Sequence, residues 1–329
     1  MERVAVVGAA GFVGRNLAAA LLGVGGLRIT CVDVVPLAAR NMIGEAGRSS
    51  TGERIEHVVA DVSSADDCRR VLDGCDTVFH MAAILSQRVT EDCARGFRVN
   101  VLGAWNVMDA CANLGAKLVL SSSASGVYGR PPSDLLIDES TAFWHAGIPV
   151  GTAAYGSAKL VAEYNASLLA GQYPKFRWVA LRYTSVYGVG QHAVGRNTMT
   201  MSDNIDRVIA GVPPVVADAP ERVFDYVHVR DVAHANLCAA TAPDEALGRA
   251  YIVASGRSVS VIELARSIAR LGPSYHEPQV IAGTGSATWP GLRYRTEAAE
   301  RGLGFRAAVR LEDGLREMYA LRKSGASGS

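Results

Sequence analysis

Short apolar runs alternate with amphipathic stretches through the first 187 residues. "RVAVVG", "LRITCVDV", "RIEHVVADV", "CDTVFHMAA", "AKLVLSSS" and "FRWVALRYTSVYG" are brief and apolar at consecutive positions. Consecutive apolar positions suit strands covered on both faces, as in a parallel sheet flanked by helices. Between them, helices are predicted through "GRNLAAALLG" and over about 65–73, 91–114 and 154–171. Strand–helix alternation of this kind predicts the α/β class, as a Rossmann-type doubly wound parallel sheet.

Past Tyr187 the alternation loosens. Gly, Pro and short helices dominate 188–222, then "VFDYVHVRDVAHANLCAAT" returns to strand and helix, and "YIVASGRSVSVIELARSIARL" reads as strand, loop and helix. The expected organisation is a nucleotide-binding domain over 1–187, with 223–245 returning to it. A smaller interleaved substrate-binding region covers most of 188–322, and 323–329, rich in Gly and Ser, is expected to be a disordered tail.

Composition narrows the function. The 329 residues suit one large domain or two coupled ones. With a net charge of +1 and no block of one sign, neither nucleic acid nor a membrane is expected as a partner. No apolar run reaches the ~18 residues of a membrane span. Six scattered cysteines without a C-x-x-C pair, and a Met1 that leads almost directly into a strand, predict reduced thiols, no metal site and a cytoplasmic protein.

The chemistry begins at "VAVVGAAGFVGRNLAAALL", which sets Gly8, Gly11 and Gly14 between a strand and a helix. Glycines let the turn tighten and let a pyrophosphate approach backbone N–H groups at a positive helix terminus. Asp33 ends the second strand, 19 residues after Gly14. A carboxylate there accepts from a ribose diol and repels a 2′-phosphate, which favours NAD over NADP. Arg28 and Arg40 are close enough in sequence to contend for such a phosphate.

A second centre lies in "AYGSAKLVAEYNASLLA", where Tyr155 and Lys159 are four apart and share a helix face, with Cβ atoms ~6 Å apart. A tyrosine acting as a base near pH 7 must lose ~3 units from its ordinary ~10. A lysine ammonium and an oxidised nicotinamide have the right sign to do this. "LVLSSSASGVYG" offers a serine hydroxyl at the carboxyl end of a strand, where α/β ligand sites lie.

Together, the Gly-rich turn, Asp33, "VVADV", "HMAA", "RVNVLGAWNV", "SSSASGVYG", "YGSAK", "LRYTSVYGVGQ" and "FDYVHVRDVAHA" resemble an extended short-chain dehydrogenase/reductase of the NAD-dependent epimerase/dehydratase branch, and among these the nucleotide-sugar 4-epimerases. The resemblance implies Tyr155 as base, Lys159 as its partner and grip on the nicotinamide ribose, and Ser123 as third catalytic residue, with Ser125 as alternative. It implies an NAD site at Gly8, Gly11, Phe12, Val13 and Gly14, with Asp33 on the ribose. Asp61 and Val62 would lie by the adenine, Ala82 and Ala83 would line the nucleotide, and Asn100 would stand at a proton relay or hold a helix kink. It also implies a homodimer through the helices at 91–114 and 154–171.

The reaction is narrowed by what stands near Ser123. Dehydratases of the family resemble Thr-Asp-Glu there, where this chain has Ala124 and Ser125; decarboxylases carry a Glu where this chain has Gly126; and 3,5-epimerising members use a loop cysteine that is lacking here. What remains is 4-epimerisation of a nucleotide sugar, a dehydrogenase or reductase of a sugar acid or other small hydroxyl substrate, or a non-catalytic NAD-binding sensor. Substrate contacts implied are Ser123, Ser125, Ser185, Asn197, Arg222 and Arg293. Ser185 stands where sugar-nucleotide enzymes commonly have Asn, and Phe224 where they commonly have Arg, a residue suited to a diphosphate.

Overall fold

The computed structural model describes residues 1–36, 55–131, 135–191, 196–217, 219–281 and 291–325, with only the backbone of 196–200. Arg40 and residues 326–329 of the tail lie outside these. Seven parallel strands form the main sheet: β1 (Arg3–Val7), β2 (Arg28–Asp33), β3 (Ile55–Val59), β4 (Thr77–His80), β5 (Lys117–Ser123), β6 (Arg177–Tyr183) and β7 (Arg249–Val253). Their spatial order is β7-β6-β5-β4-β1-β2-β3. The chain reverses direction of growth between β1 and β4, and α/β sheets bind ligands at the carboxyl edge of such a switch point.

The strands read as apolar runs because alternate residues enter two different cores. Val4 and Val6 of β1, with Ile29, Phe79, Val119 and Val179, pack under helices α1 (Phe12–Val24) and Val229–Thr241. Ala5 and Val7, with Val32, Val78, Leu118 and Ala180, pack under α2 (Ala65–Leu72), α3 (Ala104–Leu114) and α4 (Val150–Gln172). This two-sided cover is the doubly wound architecture expected from the sequence. β3, at the edge, is the polar exception, with Glu56 and His57 exposed.

The stretch read as one helix over 91–114 is instead four pieces: Ser86–Glu91, Cys93–Phe97, a π-helical turn Arg98–Gly103, and α3. Asp92 breaks the first from the second, accepting from the Arg95 N–H at 2.9 Å as an N-cap. The π turn is fixed from outside. Asn100 clamps the Ile84 backbone with both ends of its amide, at 2.8 Å each, and Gly103 sits where a Cβ would fall 2.6 Å from Val62.

Beyond Tyr183 a small sheet forms from Ser185–Tyr187, Val223–His228 and Ser258–Ser260. It packs with helices Arg196–Ile209, Val261–Ala269 and Leu311–Lys323 around Tyr187, Ile205, Tyr226, Leu264 and Leu315. Val261–Ala269 starts at a full capping box between Ser260 and Glu263. The Val223–His228 strand lies in this small sheet while the helix after it packs against α1, and β7, from the same late stretch, joins the main sheet.

Candidate active site

The turn after β1 is as tight as its glycines suggest. Gly8 has φ +88, and a Cβ there would lie 2.5 Å from the Ala82 nitrogen. A Cβ on Gly14 would lie 2.2 Å from the Gly8 carbonyl oxygen. The sheet edge around Ala82 and Ala83 therefore closes directly over the turn. Gly11 caps α1 without a side-chain hydrogen bond, no acidic residue follows in its first turn, and Phe12 and Val13 begin the helix. Its N–H groups are left to an anion. Asp33 stands beside them, one carboxylate oxygen accepting from the Ala10 N–H at 2.9 Å and the other from Val35 at 3.2 Å. Arg28, at the opposite end of β2, is ~16 Å away along the strand and does not reach this position. A small cavity lined by Val7, Val32, Ala60, Asp61 and Val62 adjoins the turn. These residues fit a dinucleotide: a glycine cradle, an uncapped helix end and a ribose-facing carboxylate. Asp61 spends one oxygen on the Ser63 N–H at 2.8 Å, and the Val62 carbonyl accepts from Asn106 at 2.8 Å. Asn100, its amide committed to Ile84, is placed as a kink-holding residue.

Two elements bring the catalytic candidates together. Ser123 is the last residue of β5, and its hydroxyl accepts from the Gly126 N–H at 3.2 Å as the N-cap of a short helix, Ala124–Tyr128. That helix presses on α4, which carries Tyr155 and Lys159. A Cβ on Gly156 would lie 1.8 Å from the Gly126 carbonyl oxygen; one on Gly126 would lie 3.2 Å from Ser123 Oγ and 3.3 Å from Tyr155 Cδ1. The serine hydroxyl and the tyrosine ring are thus neighbours across a missing side chain. A side chain at position 126 would press on Gly156, Ser123 and Tyr155. Ser125 is exposed and faces elsewhere, into the cavity described below.

Lys159 is 5 % exposed. Its ammonium donates to the Ser121 carbonyl at 2.9 Å and hydroxyl at 3.3 Å, and lies 5.7 Å from the Tyr155 ring centroid. Burial pushes its pKa down to about 8, against the pull of Glu163. Burial pushes Tyr155 up to about 12, so in the protein alone the phenol is neutral.

Sequence reasoning missed what lies beneath. Glu163, one helical turn beyond Lys159, accepts from Ser122 Oγ at 2.6 Å and from Arg182 at 3.1 and 2.6 Å. Arg182 also donates to Tyr128 at 2.6 Å. Ser122 and Arg182 are register partners on β5 and β6, which is why both reach one carboxylate. Arg182 inside the otherwise apolar run "WVALRY" and a lone Glu on an apolar helix face were the available signals. His80, ending β4, is buried with no hydrogen bond at Nδ1; burial and then the Lys159 charge bring it down to about 3.

On the other side of the Ser123 helix, Ser125, Thr184, Ser185, Phe224, Asp225, Leu292 and Tyr294 line a cavity. Of the expected substrate contacts it gathers Ser125 and Ser185 but not Arg222 or Arg293. Arg293 is exposed, while its neighbours Leu292 and Tyr294 turn inward. Asn197 lies on helix Arg196–Ile209, among the residues described by backbone alone.

Among the described residues, no group of His, Cys, Asp and Glu is arranged to hold a metal, and no helix is long and apolar enough to cross a membrane.

Known proteins resemble this chain in sequence and fold. The chain is 25% identical to a UDP-glucose 4-epimerase of Pisum sativum, over 99% of this chain and 97% of that one. It is 27% identical to a 3beta-hydroxysteroid-dehydrogenase/decarboxylase of Arabidopsis thaliana over 84% of its length, and the match spans only 62% of that protein. The structure superposes on the NAD complex of Thermus thermophilus UDP-glucose 4-epimerase with a TM-score of 0.77 at 26% identity, covering 98% of this chain and 99% of that one. The family model of the NAD dependent epimerase/dehydratase family matches residues 4–254; with its glycine cradle and its Tyr155–Lys159 pair, the chain belongs to that family.

Proposed function

We propose that this protein is an NAD-dependent nucleotide-sugar 4-epimerase. One observation carries the reading: Ser123, Tyr155 and Lys159 meet at the carboxyl edge of β5, beside the glycine cradle of β1. Bound NAD supplies the hydride acceptor and, when oxidised, a positive charge. The chain's own residues do the rest. Gly8, Gly11, Phe12, Val13 and Gly14 hold the pyrophosphate against the α1 N-terminus, and Asp33 holds the adenosine ribose. Ser123 orients the substrate hydroxyl toward Tyr155. Tyr155, neutral in the free protein, ionises only when a cation joins Lys159 beside it, then takes the hydroxyl proton and later returns it. Lys159 also grips the nicotinamide ribose. Epimerisation would further require the site to let the oxidised substrate present its opposite face.

A second reading, a dehydrogenase of a smaller hydroxyl substrate, is favoured by one feature. Phe224, Leu292 and Tyr294 make apolar wall where a diphosphate would seek cations. The test is to incubate the protein with NAD and UDP-sugars, other nucleotide sugars and sugar acids, following NADH absorbance and products by proton NMR. A new epimer without net NADH supports the epimerase; NADH growing with substrate loss supports the dehydrogenase. Turnover of nothing in the panel, with NAD bound, would favour a sensor and overturn both.

The same reading includes a homodimer. On the helices at 86–114 and on α4, the large apolar side chains Phe97, Leu102, Trp105, Tyr164 and Leu168 are each exposed. Such a face is expected to cover itself with a second copy.

A further inference from the structure

The run "SSSASGVYG" opens with three serines at the end of β5, and the proposed chemistry uses only the last of them. Ser122 turns to α4, its hydroxyl donating to Glu163 at 2.6 Å. Ser121, 7 % exposed, holds Lys159. The Lys159 ammonium donates to the Ser121 carbonyl at 2.9 Å and to the Ser121 hydroxyl at 3.3 Å. An ammonium carries three N–H donors and turns freely about its last bond. Two donors bound to one residue stop that rotation, and the third has no hydrogen-bond partner among the described residues. The carbonyl would be present whatever side chain stood at 121; the hydroxyl is what serine adds.

The second acceptor matters because burial works against this ammonium. Of the groups around it, Glu163 on α4 favours the cation, and Arg182 on β6 binds that same carboxylate and blunts it. His80 at the end of β4 and Tyr155 on α4 face the ammonium uncharged. A hydroxyl oxygen accepting from Lys159 adds to the cationic side. The same hydroxyl can donate to a neutral amine, but a hydrogen bond to a charged group is the stronger.

We infer that Ser121 is a positioning residue, whose hydroxyl gives Lys159 a second acceptor, fixes the direction of its ammonium beside Tyr155 and leaves one N–H for the bound cofactor. The inference rests on the proposed reading in one respect, that Lys159 serves Tyr155 and the nicotinamide ribose.

The test reads Lys159 directly. The chain has four lysines, Lys117, Lys159, Lys175 and Lys323, so NMR of protein labelled with carbon-13 at lysine follows each one. Lys159→Met identifies the Lys159 signal by its loss. In cofactor-free protein, Ser121→Ala is expected to lower the Lys159 titration midpoint by about one unit, the worth of one hydrogen bond to a charged group. Ser121→Thr, which keeps the hydroxyl, is expected to restore it. The pH at which NAD affinity declines should move with the midpoint, and so should the alkaline limb of kcat/KM on any substrate that turns over. A midpoint unmoved in Ser121→Ala, or lowered as far in Ser121→Thr, overturns the inference. A midpoint that moves while NAD affinity keeps its pH dependence shows an ammonium that the cofactor does not use; it refutes the Lys159 role, and the positioning role of Ser121 with it. Shifts in both midpoint and NAD affinity, without turnover of any nucleotide sugar or sugar acid, support Ser121 while counting against the proposed reaction.

Discussion

Tyr155 is the residue on which the chemistry turns, and its position explains why it is quiet without cofactor. Its ring sits in the crease between α4 and the Ser123 helix, where burial holds the hydroxyl protonated. Tyr155→Phe keeps the ring and removes the acid, so NAD affinity should be unchanged while kcat falls by about 10²–10⁴; retained turnover would remove the base role. Lys159 must stay cationic to help, and with its pKa at about 8 it is close to losing its proton. Glu163 is the counter-charge that pulls the other way. Glu163→Gln should therefore move the alkaline limb of the kcat/KM profile about one unit lower. It should also cost ~3–5 kcal/mol of stability, because Arg182 is left buried without its partner. An unmoved limb would make the Glu163–Arg182 pair purely architectural.

Elements place these residues, and elements were what the sequence displayed best. Apart from the edge strand β3, the strands of the main sheet are apolar at consecutive positions because they feed two cores, so periodicity announced a covered parallel sheet. The Gly turn was legible for the same physical reason that it works: at Gly8 and Gly14 a Cβ has no space. Gly156 is as constrained as these, with a Cβ falling 1.8 Å from the Gly126 carbonyl oxygen, yet it reads as an ordinary small residue, since the contact joins elements thirty residues apart. The π turn at 98–103 was illegible because its cause, the Asn100–Ile84 clamp, is a tertiary contact. Buried polar partners such as Arg182 and Asp225 showed only as lone charges in apolar runs. At this scale Asp33 carries a prediction. Asp33→Ala should weaken NAD by about tenfold or more and NADP by less, read by titrating each dinucleotide. Because Asp33 also holds the Ala10 N–H, the turn itself loosens and some loss for both is expected. An unchanged NAD preference would show that β2 does not select the cofactor.

The whole molecule carries two further consequences. Two buried histidines link its stability to pH. His80 is lowered to about 3 by burial and Lys159, and His228 to about 4 by burial and Arg230. Between these values and the ordinary 6.5, the unfolded chain takes up protons that the folded chain refuses. Stability is therefore whole above pH 6.5 and drains as pH falls below it, by up to about 1.4 kcal/mol per unit for each ring. Urea melts at successive pH values should show this slope, and His80→Gln should lessen it. The second consequence concerns assembly. Trp105 at 40 %, Tyr164 at 61 % and Leu168 at 65 % exposure lie on α3 and α4, which pack side by side and share one core through residues such as Val107 and Ala166 on their inner sides. Their outer sides thus expose large apolar side chains on two neighbouring helices, and a two-fold axis lets one such side cover another. Leu168→Glu combined with Trp105→Glu should turn a dimer into a monomer by light scattering at micromolar concentration. Because α4 also carries Tyr155 and Lys159, kcat should fall with the dimer if the partner helix steadies that face, and stay constant if the protomer is complete alone. A wild type that is monomeric from the outset would refute the assembly and leave the apolar face to another partner.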